Sequence, residues 1–113
     1  MSSSELCLVA GVNLMAYTER GAVAPLKEGR TVEVRGTGNS MTPLISSGQV
    51  VLIEPLKADV SLNRGDIVLA KVRGRVYLHL VRALRSDQVQ IANNHGHVNG
   101  WTPRTQIYGR LKR

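Results

Sequence analysis

The sequence has few of the residues that mark specialised classes of small protein. Its one cysteine, Cys7, can form neither an internal disulfide nor a cysteine zinc cluster, so packing is its expected role. Phenylalanine is absent and aromatic residues make up 4% of the chain, which argues against a surface that stacks nucleic-acid bases. No apolar run approaches the roughly 18 to 20 residues of a membrane-spanning helix.

The amino terminus also lacks the basic residues of a secretory signal. Three serines and Glu5 precede its longest apolar run, residues 6–12. We therefore expect a cytoplasmic protein that makes no membrane contact. A length of 113 residues predicts one compact domain.

Positive charge is present but unevenly distributed. The net charge is +7; residues 1–59 hold five Lys or Arg against six acidic residues, whereas residues 60–113 hold ten against two. A clustered positive field favours an acidic partner, either a weakly bound nucleic acid or an acidic protein surface. Basic residues also commonly solvate the outer face of a sheet, so both interpretations stay open.

Hydrophobic periodicity predicts mostly β structure. Six short strands are expected, over residues 31–35, 49–54, 66–72, 76–81, 88–92 and 105–111. Gly74 supplies the positive φ of a tight hairpin between the third and fourth strands. This pattern is typical of a small barrel or sandwich. Residues 1–30 are predicted to be an arm or loop, and residues 31–113 the domain.

The strongest functional signal lies around Ser40. Glycines precede this serine, and a short helix over residues 41–47 is predicted to follow it, with Pro43 in the first turn. A hydroxyl placed there is exposed beside free backbone N–H groups that can stabilise an oxyanion. The alternative is that Ser40 only caps the helix.

Three motifs, one of which contains Ser40, indicate a protein family. They are Gly38-Asn39-Ser40-Met41 with Pro43, then Gly65-Asp66, and finally Tyr108-Gly109-Arg110-Leu111. In order and spacing, residues 31–113 resemble the serine peptidase superfamily that joins LexA-like self-cleaving repressors with signal peptidases. The resemblance implies a small mostly-β, barrel-type fold with Ser40 as the nucleophile. It also implies supporting roles for Gly38, Asn39 and Met41.

The resemblance points to His79 as the general base. Many relatives place a lysine in the strand after the hairpin, but residues 76–84 contain none, and this chain resembles the signal peptidases that place a histidine there. A neutral imidazole can take the serine proton and return it to the leaving amine. An alternative alignment puts Arg82 at this position, where a permanently charged side chain cannot accept a proton. The alternative to a catalytic role is that His79 is a half-buried strand residue bonded to a backbone carbonyl.

A third group is expected to orient the imidazole, with Asp66 or Asn94 as candidates. Asn94 belongs to a polar stretch, residues 92–101, whose Asn and Gly content is typical of turns. His95 and His97 have no nearby Cys, Asp or Glu and make a poor metal site, so neither metal nor cofactor is predicted. Trp101 is expected to cover the edge of the core.

Self-cleaving relatives cut between a small residue and a glycine upstream of the nucleophile. Ala10-Gly11 has that chemistry here. The sequence therefore predicts a small serine endopeptidase that acts on itself or on a protein partner in a phage or bacterial regulatory system. The resemblance also suggests a homodimer. The competing hypothesis is a catalytically silent basic β module that binds a protein partner or nucleic acid.

Overall fold

Short segments rich in β-branched residues form a single antiparallel sheet. The computed structural model describes residues 16–112, in which seven strands are joined in the order β1-β2-β7-β3-β4-β5-β6. Their bounds are β1 Val32–Arg35, β2 Val50–Pro55, β3 Ile67–Val72, β4 Arg75–Arg85, β5 Gln88–Ala92, β6 Val98–Pro103 and β7 Ile107–Leu111. The mostly-β fold class is confirmed.

Each of the six predicted strands corresponds to an observed one, and the hairpin between β3 and β4 turns at Arg73 and Gly74, both with positive φ. The seventh strand, β6, was not predicted. It contains Asn99, Gly100 and Pro103, residue types that are depleted in strands. They are accommodated because β6 is an end strand of the sheet, paired only with β5 among the described strands.

The predicted position of the helix is wrong. Residues 40–44 form turns, and the one α-helix of the described residues, α1, is Val23–Lys27, within the segment expected to be an arm or loop. The carbonyl groups of Ser40 and Thr42 are bonded to Asn94 on a distant loop instead of to N–H groups of a following helical turn. Tertiary contacts therefore decide the conformation of this segment.

The segment before β1 packs on the sheet. Tyr17 pairs with Val34 in parallel fashion, and Leu26 of α1 is buried in the core. A Cβ atom at Gly109 of β7 would lie 2.7 Å from Ile53 Cγ2, so glycine is needed where α1, β2 and β7 meet. The proposed domain boundary at residue 30 stays a prediction.

Two groups of buried apolar side chains form the core. One lies under α1, β1 and β2 and includes Met41 and Ile45 of the turn that follows Ser40. The other lies between β3, β4, β5 and β7, with Val68, Val81 and Ile91 at its centre. The turn that carries Ser40 is thus anchored to the first of these groups by two apolar side chains.

Cys7 and the Ala10-Gly11 pair lie outside the described residues. In the described part of the chain, no helix has the length and apolar character needed to cross a membrane.

Candidate active site

The structure brings Ser40 and His79 together from two different elements. Ser40 lies in the turn between β1 and β2, and His79 lies within β4, paired with Val68 of β3. The distance from Ser40 Oγ to His79 Nε2 is 3.0 Å. This is the distance of a hydrogen bond, so the two side chains named from the sequence are placed for proton transfer.

Asn99 of β6 contacts the other nitrogen of the imidazole ring. His79 Nδ1 lies 2.7 Å from the Asn99 side-chain oxygen, which can only accept a hydrogen bond. The proton of a neutral His79 is therefore held on Nδ1, and Nε2 is left as the acceptor for the Ser40 hydroxyl. The contact selects the tautomer that a general base needs.

Burial keeps the imidazole neutral. His79 is 7% exposed, and Tyr77 stacks on its ring at a centroid distance of 4.9 Å. Desolvation lowers the pKa of His79 below its usual value, and the charge of nearby His97 acts in the same direction, while the hydrogen bond to Asn99 opposes both. His79 is therefore unprotonated at neutral pH.

A loop between β5 and β6 holds the turn that carries Ser40. The backbone N–H of Asn94 donates to the Ser40 carbonyl at 2.9 Å, and its side-chain amide donates to the Thr42 carbonyl at 2.9 Å. His95 Nε2 lies 2.9 Å from the Asn39 carbonyl oxygen and 3.1 Å from Thr42 Oγ1. Asn94 and His95 thus fix the position of the Ser40 turn, and no hydrogen bond joins either of them to His79.

Asn93 shapes that loop from within. Its side-chain oxygen accepts the backbone N–H groups of His95 at 2.8 Å and His97 at 2.9 Å. This is the turn chemistry expected from the sequence. Within residues 16–112, no group of three or more His, Cys, Asp or Glu side chains is arranged to hold a metal ion.

The other candidate residues lie away from the imidazole. The Asp66 carboxylate accepts the backbone N–H of Asn63 at 2.9 Å and lies 3.7 Å from the Arg110 guanidinium, so Asp66 anchors the start of β3. Arg82 is exposed and donates to Gln90. Neither contacts Ser40 or His79. The residue that does orient the imidazole, Asn99, was missed because the Asn-Gly pair that it begins is typical of a turn.

Gly38, Asn39 and Met41 flank Ser40 along the chain, and their supporting roles stay a prediction. Gly38 has a φ of +74°, which favours glycine and bends the chain before Ser40. Asn39 is exposed, and Met41 is buried in the core. The backbone N–H of Ser40 donates to no acceptor among residues 16–112, so it is available as an oxyanion donor.

Ser40, His79 and Asn99 line an open cleft of about 360 Å³. Glu19, Arg75 and His97 form part of the same wall. Burial raises the pKa of Glu19 above its usual value, and the nearby backbone of Thr37 partly opposes that shift. The cleft therefore places ionisable groups beside the half-buried Ser40 and the buried His79.

A family model described as Peptidase S24-like matches residues 11–109. The chain belongs to the Peptidase S24-like family. The match includes the Ser40 turn, β4 with His79 and β6 with Asn99, and it confirms the resemblance to the LexA and signal peptidase superfamily. No curated protein and no solved structure matches the chain.

In this Peptidase S24-like chain, one basic residue outside the cleft makes an aromatic contact. Arg85 lies over the Trp101 ring at 4.4 Å from its centroid, a cation–π contact at the edge of the sheet. Trp101 is half-buried, which agrees with the covering role expected for it.

Proposed function

We propose that this Peptidase S24-like chain is a serine endopeptidase in which Ser40 is the nucleophile and His79 the general base and acid. The observation that carries the proposal is the chain of contacts from Ser40 Oγ to His79 Nε2 at 3.0 Å and from His79 Nδ1 to Asn99 Oδ1 at 2.7 Å. A nucleophile bonded to a base, which is in turn bonded to an orienting group, is the arrangement that activates a hydroxyl for acyl transfer.

The proposed reaction begins with attack of Ser40 Oγ on the carbonyl carbon of a peptide bond. As the C–O bond forms, the hydroxyl proton passes to His79 Nε2, and the imidazolium keeps its Nδ1–H bond to the neutral Asn99 amide oxygen. His79 then gives the proton to the leaving amine as the C–N bond breaks. A water molecule, deprotonated by the same imidazole, hydrolyses the acyl-enzyme and regenerates Ser40.

In this proposal, backbone N–H donors at the Ser40 turn stabilise the negative charge of the tetrahedral intermediate. The free N–H of Ser40 supports this assignment, together with the bend at Gly38. Preorganised N–H donors of this kind typically lower an acyl-transfer barrier by about 3 to 4 kcal/mol each. Asn94 keeps the donors in place by holding the carbonyl groups of Ser40 and Thr42.

The proposed substrate is a polypeptide, and one candidate is the chain itself at Ala10-Gly11. Glu19 already lies in the wall of the cleft beside Ser40. The nine residues from Ala10 to Glu19 span at most about 30 Å when extended. That reach suffices for the Ala10-Gly11 bond to approach Ser40 within one chain, or within a homodimer. A protein partner in a phage or bacterial regulatory system is the other candidate.

A silent basic module that binds an anionic partner is the second candidate function. The exposed Arg73, in the turn between β3 and β4, and Arg75, the first residue of β4, favour it. Binding through these cations requires no contact between Ser40 and His79, so the two functions are separable by mutation.

Intact-mass spectrometry of the full chain tests the peptidase directly. Wild type, Ser40→Ala and the matched control Ser47→Ala, whose serine is exposed in a neighbouring turn, are incubated for days at neutral to alkaline pH. The same three proteins are then offered a library of unmodified peptides. We expect cleavage by wild type and Ser47→Ala only. Absence of Ser40-dependent cleavage in both assays would overturn the proposal and leave the binding module.

A further inference from the structure

A second, larger cavity adjoins the cleft that contains Ser40. It measures about 460 Å³ and shares Arg75 and Val76 with that cleft. We call it the cationic pocket; its lining residues are Arg20, Val23, Lys71, Gly74, Arg75, Val76 and Tyr108. A ligand in the cationic pocket therefore lies directly next to the proposed site of hydrolysis.

Three exposed positive side chains line this pocket, one from the segment before α1 and two from the β3–β4 hairpin. Arg20 precedes α1, Lys71 lies on β3, and Arg75 begins β4. None of the lining residues is acidic, and among residues 16–112 no carboxylate oxygen lies within 4.0 Å of any of the three cations. Like charges placed close together repel one another, and a bound anion relieves that repulsion.

The remaining lining fits a short aliphatic chain that ends in a carboxylate. Val23 and Val76 are half-buried apolar side chains, and the Tyr108 hydroxyl donates to Gln106 at 2.9 Å. Tyr108 is the single aromatic residue in the lining. The pocket therefore has no stacked aromatic platform of the kind that holds successive bases of a single-stranded nucleic acid.

We propose that the cationic pocket binds Asp or Glu side chains of a polypeptide whose adjoining residues enter the cleft of Ser40 and His79. The position of the cleaved bond in this scheme rests on the proposed function; the charge-selective binding does not. The pocket would make acidic residues on one side of the scissile bond a determinant of substrate choice. It also gives two of the ten basic residues in residues 60–113, Lys71 and Arg75, a specific role.

Binding of two neutral-capped peptides tests this proposal. One alternates Glu and Ala and the other alternates Gln and Ala; both are acetylated, amidated and labelled with an uncharged dye for fluorescence anisotropy at physiological salt. The full chain with Ser40→Ala is used so that no peptide is consumed. The pocket variant adds Arg20→Gln and Lys71→Gln, whereas the matched control adds Lys57→Gln and Lys112→Gln, two exposed lysines outside the pocket.

We expect the Glu peptide to bind more tightly than the Gln peptide. The pocket variant should bind the Glu peptide with roughly tenfold lower affinity. The control, which has the same net charge, should lose less than about twofold in affinity for that peptide. Equal affinities for the two peptides, or equal losses in the two variants, would overturn the proposal. Tighter binding of an oligothymidylate that is lost in the pocket variant would also overturn it, in favour of nucleic acid.

Cleavage of the peptide library by the chain with native Ser40 distinguishes the two proposals. Enrichment of acidic residues at a fixed distance on one side of the cut, lost with Arg20→Gln and Lys71→Gln, supports the cationic pocket as a specificity site. Cleavage without such enrichment contradicts that role and leaves the peptidase intact. Charge-selective binding without cleavage of any peptide contradicts the peptidase and supports the pocket.

Discussion

The two halves of the candidate site are held by different kinds of structure. His79 lies within β4, paired on one side with β3, and its ring is bonded to Asn99 of the end strand β6. Ser40 lies in a turn whose carbonyl groups are bonded to the separate loop that contains Asn94. Backbone ladders thus position His79, whereas one backbone and one side-chain hydrogen bond from a separate loop position the Ser40 turn.

This difference determines what each supporting residue controls. Asn99 acts on the tautomer and proton affinity of His79, so its replacement should alter the pH dependence of the reaction. Asn94 acts on the position of Ser40, so its replacement should alter the rate without moving that dependence. The two asparagines are alike in chemistry, and their effects should nevertheless differ in kind.

Removal of either member of the proposed catalytic pair, Ser40 and His79, should have the largest effect. Ser40→Ala loses the nucleophile and His79→Ala loses the base, and each should lower kcat/KM for a cleaved peptide by at least about 10³-fold. Thermal unfolding should show that both variants stay folded. Ser47→Ala should retain wild-type kcat/KM, and a comparable loss in that control would show that the effect is not specific to the pair.

Replacement of Asn99 should come next. Asn99→Ala leaves the Nδ1–H of His79 without its acceptor, and we expect a loss of about 10- to 100-fold in kcat. Asn99→Asp keeps an acceptor oxygen and adds a negative charge, which stabilises the imidazolium and raises the pKa of His79. The acidic limb of the pH–rate profile should therefore move to higher pH in Asn99→Asp. An unmoved limb would refute direct contact between residue 99 and the base.

Replacement of Asn94, compared with replacement of Asn99, tests whether the two asparagines support different members of the Ser40–His79 pair. Asn94→Ala removes the bond to the Thr42 carbonyl, and we expect about a tenfold loss of kcat and about 1 to 2 kcal/mol of stability. The acidic limb of its pH–rate profile should coincide with that of the wild type. A shift of this limb like that of Asn99→Asp would contradict the assignment of Asn94 to the nucleophile side.

The fold and the proximity of Ser40 and His79 were more predictable than the residues around them. Strand periodicity and the hairpin at Gly74 depend on local sequence, and the motif at Ser40 with the position of His79 could be aligned with a known superfamily. The helix over residues 41–47 was predicted wrongly because Asn94, about 50 residues away, supplies donors to its carbonyl groups. Asn99 was missed because its strand depends on pairing with β5 and its composition is that of a turn.

The smallest expected effect is on stability at acidic pH. The pKa of His79 is lowered in the folded state by burial, so the unfolded chain, with a histidine pKa of about 6.5, binds the proton first as the pH falls. Well above pH 6.5 neither state binds the proton, so His79 has no effect on the pH dependence of stability. As the pH drops through 6.5 toward the pKa of folded His79, protonation of the unfolded chain lowers the free energy of unfolding. The wild type should therefore lose more stability than His79→Gln between pH 7.5 and 5, measured by urea unfolding. An equal loss would show that burial of His79 does not set this dependence.

Covalent labelling of Ser40 tests the central claim without a known substrate. A fluorophosphonate reacts when an activated serine oxygen displaces fluoride from phosphorus, and the adduct is located by peptide mass spectrometry. We predict labelling at Ser40 in wild type and Ser47→Ala, at least about 100-fold slower in His79→Ala, with a rate that falls as His79 is protonated. No adduct at Ser40, or an equal rate in His79→Ala, would contradict a nucleophile activated by His79.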